Sequence, residues 1–154
     1  MAEAASTTPS VETTQDERTM AVLAHALQLI GGWIAPLVIF FVKRQSRFVS
    51  FHSLQVLFLE LVFVVINMCV MVTLIATFAV SFVAHGVNNN NLPAAFFAFI
   101  PLFWLAFMGM WIVKLVIAVI FSIKAGRGEW AEYPLLGGWA RRVLNIGPGG
   151  APMA

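Results

Sequence analysis

Hydrophobic positions run in three long blocks, Met20–Val42, Phe48–Ala84 and Ala94–Ile123, and polar residues collect in the connectors and at the two ends. Each block is at least as long as the ~20 helical residues that cross a bilayer's hydrocarbon core. The pattern predicts an all-α integral membrane helical bundle of three transmembrane spans, about 20–42, 54–84 and 94–123, with interfacial amphipathic ends. The second block exceeds a perpendicular crossing, so its first turns are expected at the interface. Gly31-Gly32 and Pro36 are the weak points of the first, where the helix is open to breaking into a re-entrant or interfacial piece. Residues 1–15 read as a disordered polar tail, 16–146 as a single transmembrane domain, and 147–154, rich in Gly and Pro, as a second tail.

Helical periodicity separates two faces on the first span. Ala21, His25, Gln28, Gly32 and Pro36 fall on a small and polar face, opposite Leu23, Leu27, Ile30, Ile34, Val38 and Phe41. On the second span His52, Gln55, Glu60 and Asn67 share a broad arc, continued by Cys69, Thr73, Thr77 and Ser81. Small residues let helix backbones approach, and hydroxyls and amides hydrogen-bond between helices. His25, Gln28, His52, Gln55 and Asn67 are therefore expected to face the bundle.

Composition agrees with the class. With 60% hydrophobic and 10% charged residues, a soluble domain would lack polar surface to cover itself. The net charge of +2 gathers in no basic face, so no nucleic-acid partner is expected; the bilayer is, along with a homo-oligomer or another membrane protein. The first block is not expected to be a cleaved signal sequence, because the segment before it is acidic and Lys43-Arg44 follows it.

Charge placement sets the expected orientation. The connector Lys43–Arg47 carries three cations, the connector His85–Leu92 none, and Lys124, Arg127, Arg141 and Arg142 follow the last block. Three spans put both basic segments on one side, whereas two or four spans are expected to separate or split them. The positive-inside bias then gives a cytoplasmic (inner) membrane protein with its N-terminus outside and its C-terminus in the cytoplasm.

Two ionisable residues lie within the apolar blocks, Glu60 and Lys114. Such groups are costly unless paired or solvated. Counted from the flanking cations, both lie roughly 15–20 Å deep, so an intramembrane Glu60–Lys114 pair or a shared polar pocket is expected. The histidines do not suggest a metal site: His25 and His52 belong to different spans at different expected depths, His85 to the outer connector, and no ligand set surrounds them. No nucleophile–base arrangement can be assembled, so neither an enzyme nor a cofactor is expected.

The order Leu23-Ala24-His25, Pro36-Leu37, Phe51-His52-Ser53-Leu54-Gln55 and Lys124-Ala125-Gly126-Arg127-Gly128, followed by Tyr133-Pro134, resembles a family of small bacterial membrane proteins of unknown function. That family is distantly similar to the twenty-kilodalton membrane subunit of the plastid inner-envelope protein-import complex. The resemblance covers about Glu17 to Val143 and marks Pro36, Gly128, Tyr133 and Pro134 as motif positions. Ser53 stands where the family usually has Ala. The plastid relative implies a channel or translocation role by analogy of fold. The residues themselves favour an uncharacterised, non-enzymatic small subunit or scaffold of a membrane complex. The alternative is a pore or transport component with a polar path lined by Glu60, Asn67 and Lys114.

Overall fold

The structure is a computed structural model that describes residues 12–85, 94–134, 136–147 and 150–152. The N-terminal tail up to residue 11 and the Asn-rich connector after His85 lie outside the described residues. Among the described residues five α-helices follow in order: α1 (Gln15–Gly31), α2 (Ile34–Val42), α3 (Arg47–His85), α4 (Ala94–Gly126) and α5 (Leu136–Leu144). Among the described residues, two helical segments rather than three are long and apolar enough to cross a membrane, Arg47–Ala84 and Phe97–Gly126.

The third expected span is absent because the first block is two helices. Thr14 and Glu17 form a reciprocal capping box that starts α1. At the other end Gly32 takes φ 54°, ψ −131°, a conformation that glycine tolerates and a helix does not contain. Pro36 has no N–H to give the Gly32 carbonyl, so a continuous helix would lack that bond even with the backbone straightened. α2 turns back and packs along α1. Their open ends are joined by a Lys43–Asp16 ion pair at 2.7 Å and a Ser46 hydroxyl that donates to Glu17 at 2.6 Å. Ser46 also caps α3, accepting from the Val49 N–H.

This count corrects the expectation that only three spans keep the basic segments together. Were α3 and α4 the two crossings, the segments before α3 and after α4 would lie on the same side just as well.

The chain divides into two compact units, Met1–Glu60 with Ile117–Ala154, and Leu61–Val116. The first holds all the described buried residues. One cluster joins Ala21, Phe48 and Ala125; another joins Phe51, Ala140 and Ile146; Trp130 packs against both. α5 lies down through Gly137 and Ala140, and Arg141 reaches Glu132 and stacks over the Phe51 ring. The segment after α5, read from composition as a loose tail, turns back on itself: Ile146 pairs with Pro152, and Gly147 donates to the Ala151 carbonyl. Gly150, at φ 86°, sits against the Trp130 ring with no room for a Cβ.

The second unit contains the middle of α3 and most of α4. Its side chains are mostly apolar around the whole helix circumference, and none of the described ones is buried. Phe78 and Phe99 meet across it at 5.4 Å between ring centroids. Thr73 and Thr77, which the sequence assigned to helix contacts, are exposed and return their hydroxyls to the carbonyls of Cys69 and Thr73.

Candidate functional site

The first unit encloses a chain of hydrogen bonds built from three distant parts of the sequence. α1 presents His25, the start of α3 presents His52 and Gln55, and the segment between α4 and α5 presents Tyr133 and the carbonyls of Glu129 and Ala131. His25 Nδ1 lies 2.8 Å from the Tyr133 hydroxyl, and His25 Nε2 lies 3.1 Å from His52 Nδ1. His52 Nε2 in turn lies 3.1 Å from the Glu129 carbonyl. One helical turn further along α3, Gln55 closes a second bridge. Its amide donates to the Ala131 carbonyl at 3.1 Å, and its oxygen accepts from the Tyr133 N–H at 2.6 Å.

The proton positions follow from chemistry. A carbonyl only accepts, so His52 Nε2 carries a hydrogen. With both rings neutral, His52 Nδ1 must then accept from His25 Nε2, and His25 Nδ1 must accept from Tyr133. One polarity therefore runs from the tyrosine through both imidazoles to the Glu129 carbonyl. Burial pushes the Tyr133 hydroxyl above its ordinary value and keeps it a donor.

The walls are aromatic. Phe121 meets Tyr133 edge-on at 4.1 Å, and Phe48 meets His52 at 4.6 Å. Such rings exclude water and strengthen the bonds they enclose. Gln28, fully buried one turn beyond His25, brings its amide to the Tyr133 hydroxyl without reaching hydrogen-bond geometry. At the edge of the unit, the Ser46 hydroxyl holds the Glu17 carboxyl below the usual carboxylate range.

The structure thus brings together His25, His52, Gln55 and Tyr133, with Gln28 beside them. It corrects the expected separation of the two histidines, whose different depths followed from treating α1 as the outer part of a span. Since α1 folds back at Gly32, His25 sits at the level of α3's first turns. The two rings spend their nitrogens on each other and on their neighbours, so they do not converge on a common point as metal ligands do. Among the described residues no group of three or more His, Cys, Asp or Glu is placed to hold a metal.

Pro36 is buried in α2, Gly128 takes φ 78° against Thr13 and Arg18, and Pro134 is exposed. Glu60 is buried in the first unit, while Asn67 and Lys114 are half-buried in the second. Sequence reasoning missed the part played by the Glu129 and Ala131 carbonyls and the Asp16–Lys43 and Glu17–Ser46 clasps. A usable signal was present: His25/Gln28 and His52/Gln55 are each a polar pair three residues apart within apolar surroundings.

Taken together, fold and site define an all-helical protein with two candidate membrane-crossing helices and a helical unit fastened by buried polar groups. The chain belongs to the magnetosome magnetite crystal formation protein family, which it matches over residues 16–140, a stretch that contains every member of the hydrogen-bond chain. This agrees with a small bacterial membrane protein family, and the comparisons show no link to the plastid import subunit. No curated protein and no solved structure matches the chain.

Proposed function

We propose that this chain is a non-enzymatic component of the magnetosome membrane that supports magnetite crystal formation by holding lipid and partner proteins. The observation that carries the reading is the closed state of His25, His52 and Gln55. Both nitrogens of His25 and both of His52 are spent inside the fold, as are both polar atoms of Gln55. Groups so committed fix helix positions and have nothing left to turn on a substrate. A surface groove of about 890 Å³ lies elsewhere, lined by Asp16, Glu17, Lys43 and Arg44 among others. No observation favours a transport path over this reading.

In this reading α3 and α4 are the two crossings. The basic connector Lys43–Arg47 and the basic segment after α4 then share the cytoplasmic side by the positive-inside bias. The N-terminus joins them there, in place of the outside location expected from three spans.

The test is complementation of a deletion in a magnetite-forming host with His25→Gln and Tyr133→Phe. Crystal size is read by electron microscopy, and the amount of protein in isolated magnetosome membranes is measured beside it. Crystal defects are expected only in proportion to protein lost. Wild-type protein levels accompanied by deletion-like crystals would overturn the proposal, because the latch would then perform chemistry of its own.

A further inference from the structure

We infer that α1 and α2 form a re-entrant hairpin that enters the acyl-chain region of one leaflet and leaves by the side it entered. Three observations carry this. The open end of the hairpin is clasped: Lys43 Nζ is 2.7 Å from Asp16, and the Ser46 hydroxyl is 2.6 Å from Glu17. Entry and exit therefore lie at one level. That geometry excludes a crossing through this segment.

The second observation is where charge stops. Asp16, Glu17, Arg18, Lys43, Arg44 and Arg47 all lie at the clasped end, and the twenty-four residues between Arg18 and Lys43 hold no Asp, Glu, Lys or Arg. The far end is apolar and uncovered: Ile30 is 91% exposed, and Trp33 and Ile34 are more than half exposed. Leu27, Val38 and Phe41 extend this face along both helices, while Ala24, His25, Gln28 and Pro36 turn inward.

Length is the third. α2 rises about 13 Å over its nine residues, and the charge-free part of α1 about 19 Å. The hydrocarbon depth of one leaflet is roughly 15 Å. A hairpin of that reach, basic at its mouth and apolar at its tip, fits lipid better than a protein partner, whose interface would need a polar rim around the patch.

The backbone at the bend suits that setting. The Gly32 N–H is bonded to the Gln28 carbonyl and the Leu37 N–H to the Trp33 carbonyl, and Pro36 contributes no N–H that would need a partner in lipid. The inference does not depend on the functional proposal and is tested separately.

Single cysteines at Gln15, Gln45 and Ile34, all exposed, are placed in the full-length protein after Cys69→Ala. An impermeant maleimide is applied to spheroplasts and to inverted membrane vesicles. Positions 15 and 45 are expected to label from the same side, and position 34 to stay at background from both until detergent is added. A fluorophore attached at position 34 is expected to be quenched more by mid-chain nitroxide lipids than by headgroup nitroxides. Labelling of 15 and 45 from opposite sides would overturn the inference in favour of a crossing. Labelling of 34 from water, or stronger headgroup quenching, would overturn it in favour of a hairpin lying off or on the surface. Ile30→Cys provides a second tip probe should Ile34→Cys fail to accumulate.

Discussion

The two compact units of this protein solve the problem of burial in opposite ways. The first, Met1–Glu60 with Ile117–Ala154, buries Phe48, Phe51, Val56 and Ile146 together with His25, Gln28, His52 and Gln55. The second, Leu61–Val116, leaves Leu61, Met68, Val80, Leu105 and Ile112 more than half exposed. One unit needs a partner for each polar atom it encloses, since an unmet buried donor or acceptor costs about 1–3 kcal/mol. The other needs an apolar solvent around it, and the Thr73 and Thr77 hydroxyls return to their own helix backbone. Specific structure is therefore concentrated where polar groups are buried, and the long helices between carry little that distinguishes one face from another.

The sharpest way to break that contrast is Gln55→Leu. It removes both bonds of the second bridge and strands the Ala131 carbonyl and the Tyr133 N–H in the interior. A loss of about 2–5 kcal/mol is expected in the first unit. Hydrogen exchange should show faster exchange across residues 12–60 and 117–147, with residues 61–116 unchanged. Equal loosening of both units would mean that they do not fold as separate entities.

Tyr133→Phe is milder. It leaves His25 Nδ1 without its donor and is expected to cost about 1–3 kcal/mol. It also predicts a pH effect whose sign is fixed. The folded phenol holds its proton above the ordinary value of about 10, while the unfolded chain releases it there. The folded state then binds more protons, so stability falls as pH rises beyond about 10. Thermal unfolding in micelles between pH 8 and pH 11 should show that decline in the wild type and a smaller one in Tyr133→Phe.

The smallest expected effect has the opposite sign. Ser53 is fully buried, and among the described residues its hydroxyl has no hydrogen-bond partner. Ser53→Ala should be neutral or raise stability by up to about 1 kcal/mol, read in the same melts. A marked loss would reveal a partner for that hydroxyl.

Much of the secondary structure was legible because helical periodicity and cap chemistry are local. The second and third hydrophobic blocks became α3 and α4 nearly as read, and His25, Gln28, His52 and Gln55 are buried. The first block misled because length and hydropathy carry no direction: twenty-three apolar residues look the same whether they run straight or double back. Gly31-Gly32 and Pro36 marked the place of the break, but the reversal itself is held by Lys43 meeting Asp16, a contact between chain ends. The pairing of Tyr133 with His25 was not legible, since the two lie 108 positions apart. The folded-back C-terminal segment was hidden because glycine and proline content is common to loose tails and tight turns.

The Tyr133–His25 bond also imposes an order in time. A ribosome delivers His25 first, then His52, then both long helices, and only afterwards Tyr133. Until that segment emerges, His25 and His52 have only each other, and the bonds to the Glu129 carbonyl and the Tyr133 hydroxyl are unmade. Closure of the first unit is thus a late event in biogenesis, and it reports that everything between the two halves of the latch has already been synthesised.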